Sequence, residues 1–197
     1  MSKKYKRVAI TELSNIEYGR SIRSGVVESK ESDIALVMMR DADGIDYESL
    51  THVELSGIKE PNFLAKNDIL VLSRSSFNRA LLIDSKVDEI DFKLIAAPCY
   101  FIVRADQKQI VPAYLAWWLN QAEAQEYLQS QTTGGKAKVL TRTALESLEV
   151  VLPSMKEQQE IVKTIMEVNE KTKALEQQIV EAGVVLTDIA SKLNAKK

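Results

Sequence analysis

The C-terminal region of the chain carries a heptad repeat, which constrains the fold more than any other feature of the sequence. Between Ser154 and Ala195 there is no proline and a single glycine, Gly183. This composition predicts one continuous helix of about 42 residues, roughly 63 Å long. Along it, residues recur at alternating spacings of four and three, all apolar except Thr172: Ile161, Ile165, Val168, Thr172, Leu175, Ile179, Ala182, Leu186, Ile189 and Leu193. A repeat of this kind keeps one stripe facing a partner helix, as in a coiled coil.

This helix is too long to be covered by the rest of the same chain. A domain of about 150 residues is about 30–35 Å across, roughly half the length of such a helix. Most of the apolar stripe would therefore remain in water unless a second helix covered it. We predict that the chain dimerises through the apolar members of the repeat with large side chains: Ile161, Ile165, Val168, Leu175, Ile179, Leu186, Ile189 and Leu193.

The residues before Pro153 follow a different pattern, in which short apolar runs alternate with turn residues. The runs predict strands at residues 34–39, 68–73, 80–84, 100–104 and 150–152. Apolar residues at helical spacing predict one helix over residues 111–131, and a short helix follows Thr141, a plausible N-cap. The expected fold class is α+β. A globular domain of mixed strands and short helices, residues 1–153, precedes a long coiled-coil helix, residues 154–197.

Composition excludes several classes of protein. The chain of 197 residues contains one cysteine and one histidine, too few for a disulfide framework or a zinc site within one chain. No apolar run approaches the roughly 18 residues of a membrane-spanning helix. The first residues, MSKKYKRVAITEL, contain no apolar stretch typical of a secretory signal, so we expect a cytoplasmic protein.

The net charge of −2 conceals three basic segments that are poor in acidic residues. They are YGRSIRSG (residues 18–25), SRSSFNRALL (73–82) and TTGGKAKVLTR (132–142). If the fold gathers them on one face, the protein has a local positive surface in spite of its nearly neutral total.

Several sequence runs, taken in order, resemble the specificity subunit of type I restriction-modification systems. These runs are FLAKNDILVLSRSS, YLAWWLNQAEAQEYLQS, TTGGKAKVLTRTALESLEVVLP and VLPSMKEQQEIV. In that family a target-recognition domain ends in a short strand and a proline-rich turn, which leads into a long helix that opens with a Glu-Gln pair. Here the turn has Pro-Ser-Met where the family often has Pro-Pro-Leu, and Asn67 stands where a glycine is common. A larger departure is length, because the usual member contains two recognition domains and two helices.

The resemblance therefore implies a half-size specificity subunit with no catalytic residue, no bound cofactor and no metal. Such a subunit would form a homodimer with antiparallel helices and bind double-stranded DNA. It would position a methyltransferase (M) subunit, which uses S-adenosylmethionine, and through that subunit a restriction (R) endonuclease subunit. A symmetric homodimer would recognise a bipartite, palindromic target with a nonspecific gap.

The basic segments supply the residue types that such a protein needs. Arginine and lysine bind guanine edges or phosphates, and asparagine binds adenine. We predict that the DNA-facing residues are Arg20, Arg23, Arg74, Asn78, Arg79, Lys136, Lys138 and Arg142. Which of them contact bases and which contact phosphates stays open at this stage.

Three alternatives remain open from the sequence. The chain could be a non-catalytic coiled-coil protein that regulates a restriction system, for example as a decoy. It could be the recognition unit of another methylation-based defence system. It could be an enzyme with a serine site near Ser73–Ser76 or a carboxylate site, but one histidine, one cysteine and no phosphate-binding glycine loop argue against this.

Overall fold

The computed structural model describes residues 5–19, 27–55, 62–132 and 138–194. The chain divides into two compact units, Met1–Gln158 and Gln159–Lys197. The first unit contains all the strands and the short helices. The second consists of most of one long helix.

The chain has the mixed strands and short helices of an α+β fold, with most strands preceding the helices. The strands are β1 (Lys6–Ala9), β2 (Ser14–Tyr18), β3 (Val27–Glu28), β4 (Ile34–Val37), β5 (Thr51–Glu54), β6 (Asp68–Leu72), β7 (Ala80–Leu82), β8 (Lys93–Ala96), β9 (Tyr100–Ala105) and β10 (Glu149–Leu152). The α-helices are α1 (Ile10–Leu13), α2 (Pro112–Leu119), α3 (Ala122–Ser130), α4 (Arg142–Glu146) and α5 (Met155–Asn194), and two 3₁₀ turns cover Met39–Asp41 and Ser85–Asp88. The five predicted strands are confirmed as β4, β6, β7, β9 and β10.

The strands form three sheets. One four-stranded sheet has the order β2-β9-β6-β7 and is antiparallel throughout. The other has the order β3-β5-β4-β8, in which β4 and β8 are parallel. A separate antiparallel pair joins β1 to β10, so the strand that precedes the long helix pairs with the first strand of the chain. Apolar residues of both four-stranded sheets, such as Leu36, Leu70 and Ile95, are buried in one core cluster.

The prediction of one helix over residues 111–131 is wrong, because the structure has two helices, α2 and α3, separated at Asn120 and Gln121. Asn120 ends α2, and its side chain binds both backbone groups of Ala80 in the neighbouring strand β7. Asn120 Nδ2 also donates to Ala116 O at 3.0 Å, a local side-chain bond of the kind that competes with continuation of the helix.

Asn67, the residue that departs from the family pattern, occupies a backbone conformation that explains the usual glycine there. Its φ angle is +73°, in the left-handed region that glycine adopts without strain. Asparagine tolerates this region better than most other residues, so the turn before β6 is preserved.

Helix α5 begins at a capping box. Ser154 Oγ accepts a hydrogen bond from Glu157 N at 3.4 Å, and Glu157 Oε2 accepts one from Ser154 N at 3.0 Å. The next residue, Gln158, is fully buried: its Oε1 accepts from Val111 N at 2.8 Å, and its Nε2 donates to Pro153 O at 3.0 Å. The Glu-Gln pair at the start of the helix thus has two distinct uses, one in capping and one in anchoring the first turn.

Candidate nucleic-acid interface

The three basic segments, which are far apart in the sequence, contribute to one cleft of about 400 Å³. Tyr18 and Gly19 from the first segment, Ser73 and Arg74 from the second, and Val139–Arg142 from the third line it. Pro98 and Phe101 complete the lining. The fold therefore gathers parts of all three segments, as the DNA-binding hypothesis requires.

Backbone hydrogen bonds attach the edges of this cleft to the sheet beneath. Ser73 donates from both its backbone N and its Oγ to Cys99 O, each at 2.7 Å, and Leu140 N donates to Ser73 O at 2.8 Å. Gly19 N donates to Tyr100 O at 2.7 Å. A Cβ atom on Gly19 would lie 2.1 Å from the backbone oxygen of Ala97, so only glycine fits at this approach.

Two arginines with different surroundings line the cleft. Arg74 is exposed, and its guanidinium makes no hydrogen bond or ion pair with any residue that the structure describes. Arg142 is the first residue of α4. The residue before it, Thr141, is confirmed as the N-cap, because its Oγ1 accepts a hydrogen bond from Ala144 N. The Arg142 Nε donates to Glu146 Oε1 at 2.7 Å, and its guanidinium lies 5.7 Å from the centre of the Tyr18 ring. The hydrogen bond that Arg142 donates to Glu146 raises the pKa of Arg142, which stays charged at any working pH.

Other predicted DNA-facing residues lie elsewhere. Lys138 is exposed, close in sequence to Val139 at the edge of the cleft. Arg79 does not line the cleft; its Nη1 pairs with Asp43 Oδ1 at 2.8 Å, and its guanidinium lies 5.6 Å from the Phe77 ring centre. Arg20, Arg23 and Lys136 lie outside the described residues.

The structure corrects the prediction that Asn78 faces DNA. Its side chain is fully buried, and its Nδ2 donates to Leu72 O at 2.8 Å. Asn78 lies between β6 and β7 and fastens the loop to the preceding strand. It therefore supports the segment from inside, where no base can reach it.

Two side-chain amides that sequence reasoning missed hold the segment from the other side. Gln125 Oε1 accepts from Asn78 N at 2.9 Å, and its Nε2 donates to Asn78 O at 3.0 Å and to Leu119 O at 2.7 Å. Asn120 binds Ala80 in the same two-bond manner, at 2.9 and 2.8 Å. Since β7 is an edge strand, the two amides pair with backbone groups that have no neighbouring strand. We call Asn120 and Gln125 the amide clamp. No sequence signal distinguishes Gln125, because α3 also contains the polar residues Glu123, Glu126 and Gln129.

We expect Gln125→Leu to destabilise the first unit by about 2–4 kcal/mol, because it leaves the backbone N–H and C=O of Asn78 buried without partners. Thermal and denaturant unfolding measure this effect. The matched control is Gln129→Leu in the same helix. Gln129 is half-buried, and its side chain makes no hydrogen bond with the described part of the chain, so we expect less than about 1 kcal/mol. Equal losses in the two variants would contradict a specific role for the clamp.

The predicted dimerisation residues lie on α5 as the heptads require. Val168, Leu175, Ile179 and Leu186 are exposed, with Ile179 at 71% and Leu186 at 67%, whereas Ile161 and Ile165 are half-buried. Ile189 and Leu193 lie within the helix, but their side chains are outside the described set. A further group of exposed apolar side chains lies off this seam, at Val180, Val184 and Val185.

Two kinds of feature are absent from the described residues. No helix there is both long enough and apolar enough to cross a membrane. Within the same ranges, no group of three or more histidine, cysteine, aspartate or glutamate side chains is arranged to hold a metal ion.

Comparison with known proteins gives a family and a set of folds. The family model described as "Type I restriction modification DNA specificity domain" matches residues 2–182. Among solved structures, one on complex assembly and conformational transition of the type I R-M system is similar with a TM-score of 0.69 and 15% identity, over 96% of this chain and 44% of that one. No curated protein matches the sequence.

Two crystal structures show the same similarity of fold. The type I restriction-modification S subunit from M. genitalium has a TM-score of 0.58 and 14% identity, over 88% of this chain and 41% of that one. The HsdS subunit from Thermoanaerobacter tengcongensis has a TM-score of 0.60 and 14% identity, over 90% and 40%. The chain thus spans less than half the length of each of these structures.

Proposed function

Because the chain belongs to the family of type I restriction-modification DNA specificity domains, we propose that it is the sequence-recognition subunit of such a system. In this role it binds double-stranded DNA in the cytoplasm and contributes no catalytic group. The observation that carries the proposal is the convergence of three basic segments on one cleft. A cleft edged by Arg74 and Arg142 supplies donors for base edges and phosphates.

We further propose that the chain acts as a half-size subunit that pairs with a second copy. The 197 residues contain one recognition domain and one heptad helix, and the large seam side chains from Val168 to Leu186 are exposed. Covering this seam with the same seam of a second copy removes the apolar surface from water. Two copies related by a twofold axis, with antiparallel helices, present two recognition domains to two half-sites. The expected target is palindromic, with a gap.

The methyltransferase subunit is the partner that performs the reaction in this proposal. It binds S-adenosylmethionine and methylates adenine, and it links the complex to the restriction subunit. The apolar side chains of Val180 and Val184 support a second partner on α5, because they lie off the heptad seam and a homodimer through that seam leaves them uncovered.

Long-read methylome sequencing of the source cells, with this gene intact and with it deleted, tests the proposal. We expect deletion to remove a gapped N6-methyladenine motif while other methylation persists. Returning the gene should restore the motif. An unchanged methylome in cells that express the methyltransferase would contradict the proposal and favour a coiled-coil regulatory protein. A motif that is lost but asymmetric would retain the recognition function and exclude the homodimer.

A further inference from the structure

Arg142 differs from the other cations near the cleft because its position is fixed twice. Its backbone begins helix α4, which Thr141 caps, so the helix fixes the position of the Arg142 Cα atom. Its guanidinium is then held by Glu146 one turn later and lies against the ring of Tyr18. Arg74 and Lys138, by comparison, are exposed.

The bond to Glu146 leaves the donor face of the guanidinium available. It uses Nε, at 2.7 Å from Glu146 Oε1, and neither terminal nitrogen makes a hydrogen bond to a residue that the structure describes. The two terminal N–H groups form a planar fork, which matches the O6 and N7 acceptors of guanine. The side chain is half-buried and lines the cleft, so the fork is held beside a space of about 400 Å³.

The charges around Arg142 favour a base over a phosphate as its ligand. Glu146 neutralises the guanidinium, and the negative charge of the Glu17 carboxylate also attracts it. A neutralised pair adds little to the nonspecific attraction of DNA, which depends on net positive charge. The pair still holds the hydrogen-bond donors of Arg142 in a fixed orientation. The walls of the cleft include Tyr18, Pro98 and Phe101, whose apolar surfaces suit the flat faces and methyl groups of bases.

We propose that Arg142 recognises a guanine in the major groove, with Glu146 and Tyr18 as its positioning residues. This inference rests on the proposed function and deepens it, since it separates a base contact at Arg142 from a phosphate contact at Lys138. It identifies Arg142 as a determinant of target sequence in this chain.

The test uses the complex of the full chain with the methyltransferase subunit of the same system and a pool of randomised duplex DNA. We expect the wild-type complex to select a motif with a G·C pair at one position of each half-site. At that position it should prefer G·C over the other base pairs by about ten- to a hundred-fold. Arg142→Ala should select the same motif with that one position degenerate. Arg142→Gln keeps the aliphatic part of the side chain against Tyr18, so the fold should be retained. This variant should prefer adenine over guanine at that position.

Lys138→Ala is the comparison variant for a phosphate contact. We expect it to weaken binding to all sequences by a similar factor and to lower the salt dependence of log K by about one, with the selected motif unchanged. The positioning role is tested by Glu146→Ala, which should reduce the preference for guanine. Glu146→Gln, which keeps an acceptor for Nε, should restore part of it. Thermal unfolding of each variant shows whether the fold is retained.

The outcomes separate the two hypotheses. A wild-type complex that selects a motif, with Arg142 variants that select it unchanged, overturns the role of Arg142 and leaves the proposed function standing. Folded Arg142 variants that lose affinity uniformly for all sequences also overturn it, because that is the behaviour of a phosphate contact. A wild-type complex that selects no motif overturns both.

Discussion

The double variant Ile179→Asp, Leu186→Asp is expected to be monomeric at concentrations where the wild-type chain is a dimer. Both side chains belong to the heptad seam of α5, seven residues apart, and both are exposed in the single chain. In a paired helix they would be buried, so each aspartate would place a charge in an apolar interface. Two such charges per copy should raise the dissociation constant by at least about a thousand-fold. Sedimentation equilibrium over a range of concentrations measures the change.

The same helix provides a matched control. Val180 and Val184 are about as exposed as the seam residues, at 62% and 64%, but they lie off the seam. Val180→Asp with Val184→Asp therefore introduces the same charges without entering the homodimer interface. We expect this variant to remain dimeric and to lose affinity for the methyltransferase subunit. If the two double variants behave alike, or if the wild-type chain is monomeric with the methyltransferase present, the seam hypothesis is wrong.

A monomeric variant also has a consequence for DNA. If the proposed function holds, one copy presents one such cleft and would contact one half-site. Cells that carry only the seam variant should therefore lack the gapped motif in their methylome. If the seam variant is folded and the motif is nevertheless lost, pairing of the α5 helices is required for target recognition.

The features that could be predicted from the sequence are those with local causes. The long helix follows from an uninterrupted heptad pattern and a capping box at Ser154, both of which are contained in adjacent residues. The central strands follow from short apolar runs, as in Asp68–Leu72, where every residue is buried. Tertiary partners decided the places where prediction failed. The helix is interrupted at Asn120 because its amide binds Ala80, 40 residues earlier in the chain.

The same distinction holds at the candidate interface. The sequence predicted that three basic segments poor in acidic residues face DNA, and parts of all three line the cleft. Residue type did not indicate orientation. Asn78 has the chemistry of an adenine contact but is turned inward by its bond to Leu72 O, while Gln125, in a helix with no basic residue, determines where that segment lies. The role of Gln125 depends on its contact with Asn78, 47 residues away in the chain, which periodicity does not reveal.

Arg104→Met is expected to cost about 2–3 kcal/mol of stability, less than the loss for a fully buried ion pair, because the Arg104 side chain is 34% exposed. Arg104 lies on β9 and donates to Asp68 Oδ1 at 3.0 Å, to Glu17 Oε2 at 3.1 Å, to Asn62 Oδ1 at 2.7 Å and to Phe63 O at 3.1 Å. The hydrogen bond that Arg104 donates to Asp68 and the charges of the Asp68 and Glu17 carboxylates raise the pKa of Arg104, which stays charged. Asp68 is only 4% exposed, so its carboxylate would be left without its cation. Denaturant unfolding measures the loss.

A second substitution distinguishes the buried charge from simple loss of packing. Asp68→Asn in the Arg104→Met background removes the uncompensated carboxylate and should recover part of the lost stability, giving a coupling energy of about 1–3 kcal/mol in a double-mutant cycle. Additive effects would contradict the role assigned to the ion pair. Glu17 precedes Tyr18 in β2, and the Tyr18 ring lies beside the guanidinium of Arg142. The ion pair between Arg104 and Glu17 therefore also helps to fix one wall of the cleft. The Arg104→Met variant should therefore lose affinity for its DNA target even at temperatures where it remains folded.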